Sequence, residues 1–238
     1  MNFGLVNTDD LKRQFGDEYP AAVVIDGVRI PLSGERRFSR SYHSKERKVG
    51  TEVSRFMDGS ASITAAELQR EWPTWTGDQR MDFCQSCCWL EEQPDFPEML
   101  RFIMQHAGPD EWSGVAMSVA SQLPREEAFD ILLRALRTVE IGRTSNIGQA
   151  LAITKHPDAE ATLRHHLQAI WAHSAIWDNA EFINYVAFDA TTCIAHLIEL
   201  GAAPADFEEQ VRQLERHSCA RNRDSCRGFL SKHYSWLR

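Results

Sequence analysis

Apolar and polar positions alternate with a helical period over most of the chain. Between residues 82 and 214 one phrase recurs: a proline, an acidic or small first turn, then an apolar stripe. Its copies are PDFPEMLRFIM at Pro94, PREEAFDILLRAL at Pro124, PDAEATLRHHL at Pro157 and PADFEEQVRQL at Pro204. In the first, Phe96, Met99, Leu100, Ile103 and Met104 fall at i, i+3, i+4, i+7 and i+8, the spacing that aligns one face of a helix. Ala128, Ile131, Leu132, Ala135 and Leu136 follow Pro124; Leu163, Leu167, Ile170 and Trp171 follow Pro157; Phe207, Val211 and Leu214 follow Pro204. A further apolar helix precedes each copy. Their stripes are Met81, Cys84 and Cys88; then Trp112, Val115, Ala116, Val119, Ala120 and Leu123; then Ile147, Ala150 and Leu151; then Ala187, Ala190, Ile194, Leu197 and Ile198. The unit reads as a tandem helical pair with the proline at the turn inside each pair. Successive prolines lie 30, 33 and 47 residues apart, so the last step is 14 residues longer than the one before, and the surplus falls in WAHSAIWDNAEFINYVAFDA.

The flanks differ. Thr64 with Glu67 predicts a capping box, Pro73 a helix stop and Thr76 a second N-cap. RNRDSCRGFLSKHYSW predicts a basic terminal helix that caps the stack. Near the N-terminus, Thr8 caps a short amphipathic stretch with Leu11 and Phe15. AAVVIDGVRIPL then predicts a β-hairpin, with strands at 22–25 and 28–32 about an Asp26-Gly27 turn. Residues 33–62 are polar and basic and read as an arm, with one further strand at 49–57 as an option. The expected organisation is a hairpin and arm over 1–62 and a helical domain over 63–238.

Helical pairs of this length cannot bury their apolar faces alone, so they stack. The recurrent proline and the paired stripes resemble the HEAT-like (armadillo-type) repeat superfamily, across residues 77–216. The regular Asp and Arg/Lys that the superfamily places in its second helix are lacking. The resemblance implies a mainly α fold, an α-α superhelix of HEAT-like helical pairs, right-handed and curved, whose second helices line a concave recognition face. The small N-terminal β-hairpin and arm fall outside it.

Charge narrows the partners. The 238 residues carry a net −8. Residues 49–211 hold 10 basic and 25 acidic side chains, whereas 29–48 and 212–238 each hold seven basic and two acidic ones. A phosphate backbone seeks a basic surface, so nucleic acid along the repeats is disfavoured and a basic protein partner is expected. No apolar run reaches the ~18 residues of a membrane span, and MNFGLVNTDDLKR lacks an apolar leader core. A cytoplasmic location is expected.

Catalytic signatures are not found: no HExxH, GxSxG, GxGxxG or P-loop occurs. Cys84, Cys87 and Cys88 lie a turn apart on one helix, and with Cys193, Cys219, Cys226 and His217 they match no zinc spacing, so no metal or cofactor is expected. His166 falls on the stripe of Leu163 and Leu167 and reads as a bonded core residue; His165 points toward the expected concave face. Arg101, Arg164 and Arg212 each follow the same stripe position in their helices, and Arg134 lies one residue off. They form either a ladder that grips carboxylates or a solvated face with acidic neighbours. The aromatic insertion Trp171, Trp177, Phe182, Tyr185 and Phe188 either anchors an interface or fills the wedge of the longer repeat. The candidate partner-binding residues are therefore Arg101, Arg134, Arg164, His165, Trp177, Tyr185 and Arg212. The basic arm also holds RRFS, a short kinase-like string.

The function expected is a non-enzymatic protein-binding module with an acidic repeat surface, such as a bacterial immunity or antitoxin-like protein that neutralises a basic partner. Some HEAT-like families are alkylpurine DNA glycosylases, which work on a basic concave face; the acidic body argues against that alternative. Nothing in the sequence specifically signals a HEAT-like bilin lyase. An oligomeric scaffold or adaptor, joined through the free edge of the hairpin, is the remaining class.

Overall fold

A computed structural model describes residues 63–238 apart from 181 and 238, and in the N-terminal part the backbone of 22–25 and 28–31; the side chains of 86, 88 and 89 are also outside the description. The chain divides into two units, Met1–Ile63 and Thr64–Arg238. In the first, strands β1 (Ala22–Ile25) and β2 (Val28–Pro31) run antiparallel with Ala22 opposite Pro31. The expected Asp26-Gly27 turn, the amphipathic start, the arm and its further strand lie outside the described residues.

The second unit is helical. Its described residues form ten α-helices: α1 (Ala65–Glu71), α2 (Gly77–Ser86), α3 (Phe96–His106), α4 (Pro109–Gln122), α5 (Arg125–Thr138), α6 (Ser145–Thr154), α7 (Ala159–Trp171), α8 (Tyr185–Glu199), α9 (Glu208–Glu215) and α10 (Ala220–Leu230). Local chemistry sets their ends. The Thr64 hydroxyl accepts from the Glu67 amide at 3.2 Å while Glu67 accepts from the Thr64 amide at 2.9 Å, the predicted capping box. Thr76 and Gln79 make the same exchange at the start of α2. At α4, Glu111 reaches back to the Gly108 amide at 2.8 Å. Lys155 closes α6 in the left-handed region, φ 50°.

The apolar stripes bury as the periodicity predicts. Phe96, Met99, Leu100 and Ile103 of α3 are fully buried, as are Val115, Ala116 and Val119 of α4, Ala128 and Leu132 of α5, and Leu163 and Ile170 of α7. The helices make two layers. α2, α4, α6, α8 and α10 stack directly on one another, each against its predecessor, and α1, α3, α5, α7 and α9 flank them with sparser mutual contact.

The repeat register differs from the sequence reading by one helix. The helix that starts at each proline packs more extensively on the helix after it than on the one before: α3 on α4, α5 on α6, α7 on α8, α9 on α10. Each proline opens a pair rather than dividing one. Proline is suited to the first turn of a helix wherever that helix goes next, so its position marks a start and leaves the packing partner open.

Small residues let the stacked layer close. A Cβ on Gly114 of α4 would stand 3.0 Å from the Cys84 carbonyl carbon and 3.1 Å from the Gln85 amide of α2. Gly114→Val should therefore destabilise the fold by about 1–3 kcal/mol through overpacking. Gly228→Ala in α10, where nothing lies within 4 Å, should gain about 0.5–1 kcal/mol from helix propensity. Urea titrations followed by circular dichroism measure both; equal midpoint shifts would contradict the close approach.

Candidate functional site

Four of the stacked helices expose large apolar side chains, and the three central ones, α4, α6 and α8, are poor in charge. These side chains are Met117 from α4, Ile153 from α6, Tyr185 from α8 and Phe229 from α10, all exposed, with Tyr185 at 59%. Phe188 lies half-buried between turns of α8 and meets Phe229 edge-on at 5.9 Å. α6 has no charged residue, α4 exposes Asp110 only, and α8 exposes Glu199 only. The last stacked helix, α10, differs: it exposes Arg221, Asp224 and Arg227 beside Phe229.

The long step of the repeat supplies a strap, residues 172–184, held by side chains that bond its backbone. Its short 3-10 turn, Ser174–Trp177, is capped by His173, whose Nδ1 accepts from the Ala175 amide at 3.2 Å. His217 Nε2 donates to the Ile176 carbonyl at 2.9 Å, and its Nδ1 accepts from the Cys219 amide at 3.0 Å. The Cys219 thiol meets the Phe182 carbonyl at 3.2 Å. Asn222, fully buried, pairs with the backbone of Asn184 in both directions at 2.8 and 2.7 Å, while the Asn184 side chain holds the Ala175 and Asp178 carbonyls. The aromatic insertion thereby splits into two groups. Trp177 packs edge-on against Trp171 at 5.5 Å and lies over His217 at 5.7 Å. Phe182, 61% exposed, carries the Arg221 guanidinium at 5.2 Å and leads into Tyr185 and the stacked-layer surface.

The arginine ladder lies on the proline-led helices and is engaged within the fold. Arg101 grips Glu127 of α5 through two bonds, at 2.5 and 2.9 Å. Arg164 bonds Glu160 at 2.8 Å and Asp206 at 2.9 Å and covers the Phe207 ring. Arg212 bonds Glu208 at 2.6 Å and covers Trp236. The bond from Arg101 holds the Glu127 carboxyl below its usual range. Arg134 and His165 are exposed on the same layer. The pairs Arg101–Glu127 and Arg164–Asp206 join successive repeats whereas Arg212–Glu208 lies within α9, and each contributes modestly at its exposed position. Of the candidate residues, the structure thus brings Tyr185 to the apolar surface, Trp177 to the strap, and the arginines and His165 to the opposite layer.

A buried acid is the residue that sequence reasoning missed. Asp189 of α8, 2% exposed, spans to the turn before α6. Its Oδ2 accepts from the amides of Gly142 at 2.8 Å and Thr144 at 2.9 Å and from the Thr144 hydroxyl at 2.5 Å; its Oδ1 accepts from the Ser145 amide at 3.1 Å. Thr144 Oγ1 in turn receives His166 Nε2–H at 2.9 Å. The loop can reach the carboxylate because Gly142 takes φ +104°, a region open to glycine. Burial pushes the Asp189 carboxyl up, and burial with neighbouring His165 brings His166 down to about 4. With three fixed donors on Oδ2 and one on Oδ1, Asp189 acts as an anionic cap on α6 rather than as a base for a substrate. Its signal was legible: it is the single charge in the first fourteen residues of α8.

Cys84, Cys87, Cys193, Cys219 and Cys226 are buried free thiols, and burial pushes Cys84 and Cys193 well up and Cys226 to about 12, which leaves those thiols unreactive. Among the described residues no group of three or more His, Cys, Asp or Glu converges as a metal site, and no helix is long and apolar enough to cross a membrane. Two open grooves mark the helical unit. One of about 390 Å³ runs between α7 and α9, lined by Arg164, Leu167, Trp171 and Phe207. The other, about 500 Å³, continues the α6–α8 surface past Gln149, Ile153, Lys155 and Glu199. No family model, curated protein or solved structure matches the chain.

Proposed function

We propose that the Thr64–Arg238 unit is a HEAT-like α-solenoid that binds another protein, without chemistry of its own, through the outward surface of the stacked layer. The observation that carries this is the exposure of Met117, Ile153, Tyr185 and Phe229 on four successive helices of the stacked layer, three of which are poor in charge. Exposed apolar groups aligned over several elements mark an interaction surface, whereas single ones do not. The second helix of each pair belongs to the layer with the more extensive mutual packing. That is the layer a HEAT-like superhelix presents as its concave face.

The acidic proline-led layer complements this by drawing in a basic partner, as an immunity or antitoxin-like protein of a bacterial cytoplasm would. Steering of this kind acts on association, and apolar anchors act on dissociation. The test begins with capture of the partner from the native cell and continues with titration of the purified pair. Tyr185→Ala with Phe229→Ala should weaken binding by about 10–100-fold, the range of an aromatic hot spot, with the circular dichroism spectrum unchanged. Added salt should slow association and leave dissociation nearly constant. If that double variant keeps full affinity while Arg101→Ala with Arg164→Ala loses it, the opposite layer is the binding face and the proposal fails.

A further inference from the structure

Among the described residues four guanidiniums lie over aromatic rings: Arg80 on Trp72 at 5.8 Å, Arg164 on Phe207 at 5.2 Å, Arg212 on Trp236 at 4.7 Å and Arg221 on Phe182 at 5.2 Å. A guanidinium held on a ring keeps its N–H donors for acceptors. In three of the four, carboxylates of this chain take them. Arg80 bonds Glu111 at 3.3 Å, Arg164 bonds Glu160 at 2.8 Å and Asp206 at 2.9 Å, and Arg212 bonds Glu208 at 2.6 Å. Arg221 bonds no carboxylate among the described residues, and Asp224, three residues on along α10, makes no ion pair with it.

The fourth pair also differs in its place. Trp72 and Phe207 are buried within the fold, whereas Phe182 is 61% exposed and Arg221 is exposed with it. Tyr185 follows Phe182 by three residues, and Phe229 follows Arg221 by eight on the same helix, about 12 Å along its axis. Charge selects the occupant. Seven basic against two acidic side chains over 212–238 favour an anion at this end, while 25 acidic against 10 basic over 49–211 oppose a polyanion that would run on across the body. A single carboxylate on an otherwise basic partner satisfies both.

We propose that Arg221 on Phe182 is a carboxylate-recognition subsite: the partner places an aspartate or glutamate side chain on the Arg221 fork and an apolar side chain against Tyr185 and Phe229. This rests on the protein-binding surface proposed above and names the chemistry that the surface reads. The ring restricts the guanidinium in advance, so less side-chain freedom is lost when a carboxylate takes two of its donors.

Selection of a phage-displayed random peptide library on the full chain tests the subsite without the natural partner. Enriched peptides should combine an Asp or Glu with an apolar or aromatic residue. For a synthetic copy of one, Arg221→Gln in the protein and replacement of the peptide's acid by its amide should each weaken binding by about 3–10-fold, and both together by little more than either. Arg221→Lys, which keeps the charge and loses the fork, should fall between. Arg216→Gln, at an exposed arginine just past α9, should change affinity by less than about twofold. Glu181 precedes Phe182 and lies outside the described residues; Glu181→Gln should likewise stay within about twofold, and a gain of about tenfold would assign the Arg221 fork to this chain's own acid and overturn the proposal. Enriched peptides without an acid, acidic peptides that ignore Arg221→Gln, or a library that yields no binder overturn it too. So does displacement of the peptide by a short oligothymidylate, which would make the site one for phosphate. Binding that falls with Tyr185→Ala and Phe229→Ala but not with Arg221→Gln removes the subsite and leaves the surface; binding that falls with none of these removes the surface as well.

Discussion

Asp189→Ala is expected to cost about 3 kcal/mol of folding stability, a large share of the 5–15 kcal/mol that domains of this kind possess. The substitution leaves the Gly142, Thr144 and Ser145 amides and the Thr144 hydroxyl without their acceptor in a turn that is buried at Thr144 and part-buried on either side. A buried donor without a partner costs about 1–3 kcal/mol. Against this, the same burial that pushes the Asp189 carboxyl up shows that holding the charge there has its own cost, which the alanine relieves. The donors outnumber the acid, so loss should win. In a unit of this size the melting midpoint should fall by about 6–12 °C. Asp189→Asn should do little better, because its amide nitrogen must face donors. Thr144→Val, which removes one hydroxyl, should cost only about 1 kcal/mol. Urea denaturation at neutral pH measures all three; an Asp189→Ala midpoint within error of wild type would refute the capping role.

Acid should weaken the fold well before its carboxylates titrate. His166 sits at about 4 in the fold, because burial and then His165 disfavour its charged form, while an unfolded histidine titrates near ~6.5. Between those values the unfolded chain binds the proton and the folded one does not. Stability is therefore full above ~6.5, falls as the pH drops toward about 4, and loses nothing more from this group below that. The interval sets a ceiling of about 3 kcal/mol, and the partly solvated ring argues for about 2. His196, lowered by burial against the pull of Glu199, adds loss of the same sign. His166→Gln, which can still donate to Thr144, should flatten the pH profile of the urea midpoint between 6.5 and 4.5. An unchanged profile would assign the acid loss to other groups.

Much of the helical unit was legible because its signal is local. Thr64 and Glu67, Thr76 and Gln79, and the stripes of α3, α4 and α5 each specify a helix through residues three or four apart, and the chain folds them as periodicity requires. Which helix packs on which is not local. The same proline-led stripe can cover the helix before it or after it, and close approach at positions such as Gly114 draws the even-numbered helices into one layer. The arginine ladder shows the same limit from the other side. Arg101, Arg164 and Arg212 lie on proline-led helices, but their carboxylate partners come partly from the next repeat, 26 residues on for Glu127 and 42 for Asp206. Asp189 reaches back 47 residues to Gly142. No helical period encodes contacts at such separations.

The shifted register has a consequence for how this chain can change length. A segment running from one proline to the next, 30, 33 or 47 residues, is a whole two-helix module with both its faces accounted for. Duplicating or excising such a segment would splice like to like and leave the neighbours' apolar surfaces covered. A break inside a module, after His106 or Thr138, would instead strip α3 or α5 of the helix it packs on most and open its stripe to water. The prolines thus mark the seams along which a chain of this design grows or shrinks.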